Sequence, residues 1–202
     1  MTEYLEILER AARSLHSNDR DRPAAEEVVA ALLEAEKVAR KRRESHPFEG
    51  LCGTWRLYLI TGTKKTRDRP GVLMGAGRYI PALVEIGLTY SPVADIKSGD
   101  REPFEAGRIE NRVGVGLMTL TVGGPAKFLL KNDILAFDFT RMGVRGLGLK
   151  LYDGYIRNGK SSEETFYQKR VAELPFFAYF LIRDQFIAAR GRGGGLALWV
   201  KA

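Results

Sequence analysis

Leu51-Cys52-Gly53-Thr54-Trp55-Arg56-Leu57-Tyr58-Leu59-Ile60-Thr61 is the stretch that decides the fold class. Aromatic and β-branched residues alternate there with polar ones. This predicts a strand over Thr54–Thr61 with Trp55, Leu57 and Leu59 on one face. Gly53 lets the chain turn in ahead of it. The basic loop Gly62 to Arg69 (GTKKTRDR) ends it.

Upstream, residues 1–46 have a helical texture. Tyr4, Leu5, Leu8, Ala11, Ala12 and Leu15 recur at the spacing of one helix face. Ser17 to Arg22 breaks that pattern. Asp21 is placed to cap a second helix, with Pro23 in its first turn and Glu26 and Glu27 near its positive end. Lys37, Arg40, Lys41, Arg42 and Arg43 close the helix. Cations suit the negative end of a helix dipole, and a cluster this dense also suits a membrane surface.

Downstream, glycines punctuate short apolar runs. Weaker strands lie around Tyr79 and Ile86, and residues 91–105 read as a loop. Further strands follow at Gly107–Val122, Lys127–Leu130, Ile134–Thr140, Leu147–Tyr155, Thr165–Val171, Phe176–Arg183 and Leu196–Lys201. Asn132-Asp133, Asn158-Gly159 and Gly193–Gly195 are the expected hairpin turns. No βαβ rhythm appears. The fold class is therefore mainly β: an antiparallel barrel or sandwich of about eight strands over residues 47–202, preceded by a two-helix segment over residues 1–46.

Composition narrows the function. The 202 residues are 45% hydrophobic, enough for a core, so a disordered chain is excluded. One cysteine and two histidines exclude a disulfide framework and argue against a metal centre and against catalysis. A net charge of +7 favours anionic partners, either nucleic acid or a membrane face. The N-terminus lacks the pattern of a secretory signal, and no apolar run approaches the ~20 residues that span a bilayer.

Two motifs compete for attention. Gly154-Tyr155-Ile156-Arg157-Asn158-Gly159-Lys160-Ser161 matches the phosphate-loop pattern, and a nucleotide-binding factor using residues 154–161 is one alternative reading. The pattern needs a parallel strand before it and a helix after it. The surrounding texture is antiparallel, which disfavours it. Arg190-Gly191-Arg192-Gly193-Gly194-Gly195 resembles an arginine–glycine nucleic-acid segment, but it lies between apolar runs and reads better as a hairpin, so no nucleic acid partner is expected. An interaction module presenting the apolar run at 176–182 is a further alternative.

The two ends read together carry a resemblance. Leu51 to Thr61 resembles the "L-x-G-x-W-x-L-x-Y-T" opening of the plastid lipid-associated (PAP/fibrillin) proteins, whose barrels are lipocalin-like. Phe180 to Lys201 is similar to their closing "Y-L-D-x-x-L-R-I-x-R-G-x-G-G-x-L-F-V-L-x-K", with Arg190, Gly191, Gly194 and Lys201 on matching positions. Gly107 to Val113 is similar to their mid-chain "G-x-I-x-N-x-V". The closing motif's acidic cluster is reduced here to Asp184.

The resemblance implies a lipocalin-like barrel at thylakoids or plastoglobules. It would bind or organise isoprenoid lipids, carotenoids, quinones or fatty acids, with no cofactor and no catalysis. It would lie peripherally, on the stromal or cytoplasmic side. Trp55, Leu57, Phe128, Phe137, Phe139 and Tyr152 are the expected ligand lining. Arg183, Asp184, Arg190 and Gly191 form the barrel-closing motif, with Arg183 or Arg190 expected across the Trp55 ring. Lys41, Arg42, Arg43, Lys64, Lys65 and Arg67 are expected to face an anionic membrane.

Overall fold

A computed structural model describes residues 2–17, 21–42, 45–62, 77–94, 96, 103–156 and 158–202. Two helices lead the chain, α1 (Glu3–Ser14) and α2 (Ala25–Arg42). Acidic residues open both and basic residues close both, as the helix dipole favours. Glu27 receives the Ala24 N–H at 2.9 Å, so a glutamate of α2 itself holds the helix's first turn.

Eleven strands follow among the described residues: β1 (Gly53–Thr61), β2 (Gly77–Tyr79), β3 (Val84–Pro92), β4 (Glu105–Val115), β5 (Met118–Leu129), β6 (Ile134–Phe137), β7 (Arg141–Gly146), β8 (Leu149–Tyr155), β9 (Phe176–Ile182), β10 (Phe186–Gly191) and β11 (Leu196–Lys201). Every pairing is antiparallel. Eight strands close a ring in the order β1-β3-β4-β5-β6-β9-β10-β11 and back to β1. The protein is a closed, lipocalin-like eight-stranded barrel with two N-terminal helices.

The ring branches at β5. Its second half, Ala126–Leu129, pairs with β6, and its first half, Met118–Gly123, pairs with β7. Gly124 sits at the fork, where an added Cβ would collide with the Asp138 carbonyl oxygen. Only glycine permits that approach. Beyond it, the outer ends of β3, β4 and β5 leave the ring with β7 and β8 as a five-stranded arm.

Two large apolar clusters hold the molecule, beside a third, small one of Ala136, Phe166 and Leu174. One lies between the helices and the outer face of the barrel: Leu8, Val28, Leu32 and Ala35 meet Tyr58, Leu59, Leu181, Phe186, Leu198 and Val200. The other fills the ring with Phe48, Trp55, Leu88, Tyr90, Phe128, Phe137, Tyr179 and Trp199. An irregularity between Leu57 and Leu59 in the β1–β11 ladder turns Leu59 to the helix side, away from Trp55.

Several boundaries differ from the sequence reading. Gly107–Val122 is two strands, folded back at Gly116 (φ 58°). Leu147–Tyr155 is half of a hairpin whose partner, Arg141–Gly146, was not expected. Phe186–Gly191 is likewise a strand of its own. Thr165–Val171 is no strand: it holds the end of a short helix, α3 (Gly159–Thr165), and a 3-10 turn at Phe166–Gln168. Asn158-Gly159 begins α3 rather than a hairpin. Asn132-Asp133 and Gly193–Gly195 do turn between strands, with Asp133 at φ 49° and Gly194 at φ 87°.

Candidate functional site

Where β1 and β11 meet, Trp55 pairs with Lys201 across the ladder. The Lys201 ammonium lies 4.1 Å from the centre of the Trp55 ring, and it also donates to the Cys52 carbonyl at 3.1 Å. The indole N–H donates to the Leu51 carbonyl at 2.7 Å. Gly53 holds φ 114°, a conformation that admits little else. The cation over the tryptophan is thus Lys201, not Arg183 or Arg190, because neither arginine's strand is the one that pairs with β1 at Trp55.

Arg190 turns outward to the helices instead. It grips buried Glu36 of α2 at 2.7 and 2.5 Å and donates to the Gly194 carbonyl at 2.6 Å. The guanidinium holds the Glu36 carboxyl below its ordinary pKa. Gly191 closes the β10–β11 hairpin through its N–H to the Gly195 carbonyl. Arg183 and Asp184 line a groove beside α1, away from the ring interior.

Of the expected lining residues, Trp55, Phe128 and Phe137 are buried in the ring cluster, and Leu57 and Phe139 pack at its edge. Phe128 packs on Phe48, and Phe137 on Phe139 and Phe177, which in turn meets Trp199. Tyr90 and Tyr179 share a fully buried hydroxyl–hydroxyl bond of 2.6 Å. Burial pushes both phenols well above their ordinary pKa. Tyr152 is not brought to this group, since β8 lies on the arm and outside the ring.

The arm carries an amphipathic pattern. Cross-strand pairs put Ile86, Val113, Leu120, Val122, Val144 and Tyr152 on one face, continuous with the interior of the ring. Leu120 and Tyr152 are exposed there. Arg112, Thr121, Gly143 and Asp153 occupy the opposite face. At the junction of ring and arm sits Asn111, whose Oδ1 is shielded from solvent and has no hydrogen-bond partner among the described residues. A buried acceptor left unpaired costs about 1–3 kcal/mol.

The arm's turns are apolar. Leu117 in the β4–β5 turn is 72% exposed, and Leu147 in the β7–β8 turn is 75% exposed. The Leu147 N–H donates to the Leu117 carbonyl at 3.1 Å, so the two turns lie side by side. Leu147 is held at φ 53° ahead of Gly148 at φ 78°. That two-residue turn normally takes Asn-Gly, and leucine in the left-handed region costs roughly 1–2 kcal/mol. No reading of the sequence singled out these residues. The signal available was Leu-Gly-Leu at 147–149 between alternating runs, where a polar turn residue is the norm.

The remaining candidates are placed as follows. In the 154–161 stretch, the Gly159 N–H already donates to Ile156 and the Ser162 N–H to Asn158, while Gly159 lies against the Thr140 backbone. One amide that a phosphate cradle would use, that of Gly159, is therefore engaged within the chain. The 176–182 run is β9, paired on both edges by β6 and β10. Lys41 and Arg42 are exposed on the last turn of α2. Neighbouring Arg40 shares a groove with Lys131 and Asn132, at the end of β5 opposite the arm's turns. Arg43, Lys64, Lys65 and Arg67 lie outside the described residues. The Cys52 thiol is pushed up by burial and by Glu49 and Glu105, the reverse of what activates a nucleophile. No family model and no curated protein matches the chain.

Proposed function

We propose that the protein binds or organises small apolar lipids, without catalysing a reaction on them, at the surface of a photosynthetic membrane or lipid droplet. The observation that carries this reading is the apolar interior face that runs out of the ring and ends exposed on the arm at Leu120 and Tyr152. A lipid chain laid along that face removes its own surface and the sheet's from water, at about 25 cal/mol per Å² buried. The ring interior is occupied by Trp55, Phe128 and Phe137, so the ligand lies at the mouth and along the arm.

Asn111 sits where the head of such a lipid would rest. Its acceptor suits a hydroxyl or a protonated carboxyl, as on an isoprenoid alcohol, a quinol, a xanthophyll or a fatty acid. The resemblance at the two chain ends supports the same lipid classes and a peripheral location on the stromal or cytoplasmic side.

The test is native mass spectrometry, with lipid and pigment extraction, on protein purified from a pigmented host. A bound apolar lipid, lost in Leu120→Glu, is the expected result. Repeated recovery of empty protein that also fails to take up a polyene fatty-acid probe would sink the reading.

A further inference from the structure

Three turns converge at the far end of the arm. Leu117 and Leu147 are joined by their backbone bond, and Val84 pairs with Val115 beside them, which brings Leu83 to the same end. Leu83 is 86% exposed. Leu83, Val84, residues 115–118 and residues 146–149 carry no charge at all. Met118, Leu149 and Leu151, all exposed, continue the apolar tip, and Met118 and Leu151 both close over Gly146, which has no side chain to separate them.

Charge begins immediately behind. Arg145 pairs with Lys150 on the next rung of the ladder, where Glu85 lies opposite Gly114, and Arg112 follows two rungs further back. On the outer face these cations belong to a groove of about 580 Å³ lined by five basic residues against two carboxylates, Glu110 and Asp153.

We propose that the arm tip is a membrane-docking element. It seats Leu83, Leu117 and Leu147 among the acyl chains of an anionic phospholipid leaflet and holds Arg145, Lys150 and Arg112 at the level of the phosphates. The proposal rests on the reading of the protein as lipid-associated and names the surface it uses.

The spacing fits. Strands rise about 3.3 Å per residue, so the cations begin roughly 3–7 Å behind the leucines. Apolar side chains of interfacial proteins reach about 5–10 Å into the head-group boundary. Lys150 and Arg141 pair with Asp153 at 2.7 and 3.7 Å and Arg108 with Glu163, and the excess of positive charge that the groove keeps suits a phosphate layer. A second copy of the chain is a poorer occupant. The leucines crown turns, which offer no strand to pair with, and two such tips would bring their basic grooves together. Leucine in a left-handed turn position is also explained if it serves contact with lipid.

The experiment is flotation of the full chain with phosphatidylcholine vesicles, with and without phosphatidylglycerol. The wild-type protein is expected to float with the anionic vesicles and to be released by salt. Leu117→Asn/Leu147→Asn should weaken that partitioning by about ten-fold or more, the loss expected for two apolar side chains. Asparagine suits both turns, so this variant keeps its fold, which circular dichroism verifies. Arg145→Glu/Lys150→Glu should weaken anionic binding as strongly. Leu117→Trp should show a blue-shifted emission on anionic vesicles, against native Trp55 and Trp199, which are buried.

Unchanged flotation of the leucine variant overturns the proposal. So does an unshifted emission from the Leu117→Trp variant, or a dimer in the ultracentrifuge that the leucine substitutions dissolve. The lipid-carrier reading is scored separately, by lipid recovered in native mass spectrometry. A chain that carries lipid yet floats indifferently to its leucines fails on docking alone, and one that docks but is always recovered empty fails on carriage alone.

Discussion

Glu36 on α2 and Arg190 on β10 meet through two parallel bonds, Nε to Oε1 at 2.7 Å and Nη2 to Oε2 at 2.5 Å. The pair fastens the second helix to the hairpin that closes the barrel. Glu36→Gln removes the charge and leaves a part-buried guanidinium with a weaker partner. We expect a loss of about 2 kcal/mol, or roughly 4–8 °C in Tm, by thermal melting. The acid limb changes too. The folded Glu36 pKa lies below its ordinary value, so its contribution is present above about pH 4 and is lost as pH falls through the folded value. That part of the acid destabilisation should be missing in Glu36→Gln.

Lys201 stands over Trp55 and holds the Cys52 carbonyl. Lys201→Met keeps the apolar stem and removes the ammonium. The expected cost is about 1–2 kcal/mol, with a change in Trp55 fluorescence. Arg183→Met should leave that fluorescence untouched.

Among the described residues, Tyr90 and Tyr179 satisfy only each other's hydroxyls in the ring core. Either single change to Phe should cost about 1–3 kcal/mol, and the double change should cost less than the sum. Both phenols are raised by burial, and Tyr79 is pushed up to about 12 by burial and nearby Tyr58. A raised folded value means that the stabilisation is whole below about pH 10 and is lost as pH climbs through the folded values. Denaturant melts between about pH 9 and 12, read against the phenolate absorbance, should show ionisation arriving together with unfolding.

Asn111→Leu removes the unpaired buried acceptor. The lipid-free protein should gain about 1 kcal/mol or more, while affinity for a hydroxyl- or carboxyl-bearing lipid should fall and affinity for a plain hydrocarbon should not. Paired binding isotherms check this.

Leu147→Asn releases a left-handed leucine. The gain should be about 1 kcal/mol, measured by denaturant midpoint at constant m-value.

The barrel was legible in the sequence because some ring strands keep a clear alternation: β1 alternates up to Leu57, and β4 alternates through Arg108, Ile109 and Glu110. β10 escaped notice because helices cover its outer face and the core its inner one, so Phe186-Ile187-Ala188-Ala189 shows no period of two. β7 escaped because Met142-Gly143-Val144 lies on the arm, half solvated on both faces. Lys201 was visible only as a motif position, since cross-strand register is not written in any one strand. The arm was hidden for a related reason. Nothing local in Met118–Leu129 reveals that its two halves take different partners, a choice made by the crossing of residues 138–140 against Gly124.

Joining β1 to β11 has a kinetic consequence. Lys201 reaches the Cys52 carbonyl across 149 positions of chain, whereas β3, β4 and β5 meet through neighbouring segments. Loop entropy opposes the distant contact until the rest is assembled, so the β3–β4–β5 meander forms early and the seam zips last. The helices lie over that seam and gain their partners only when it shuts. Mutations at Glu36 or Lys201 should therefore speed unfolding far more than they slow folding.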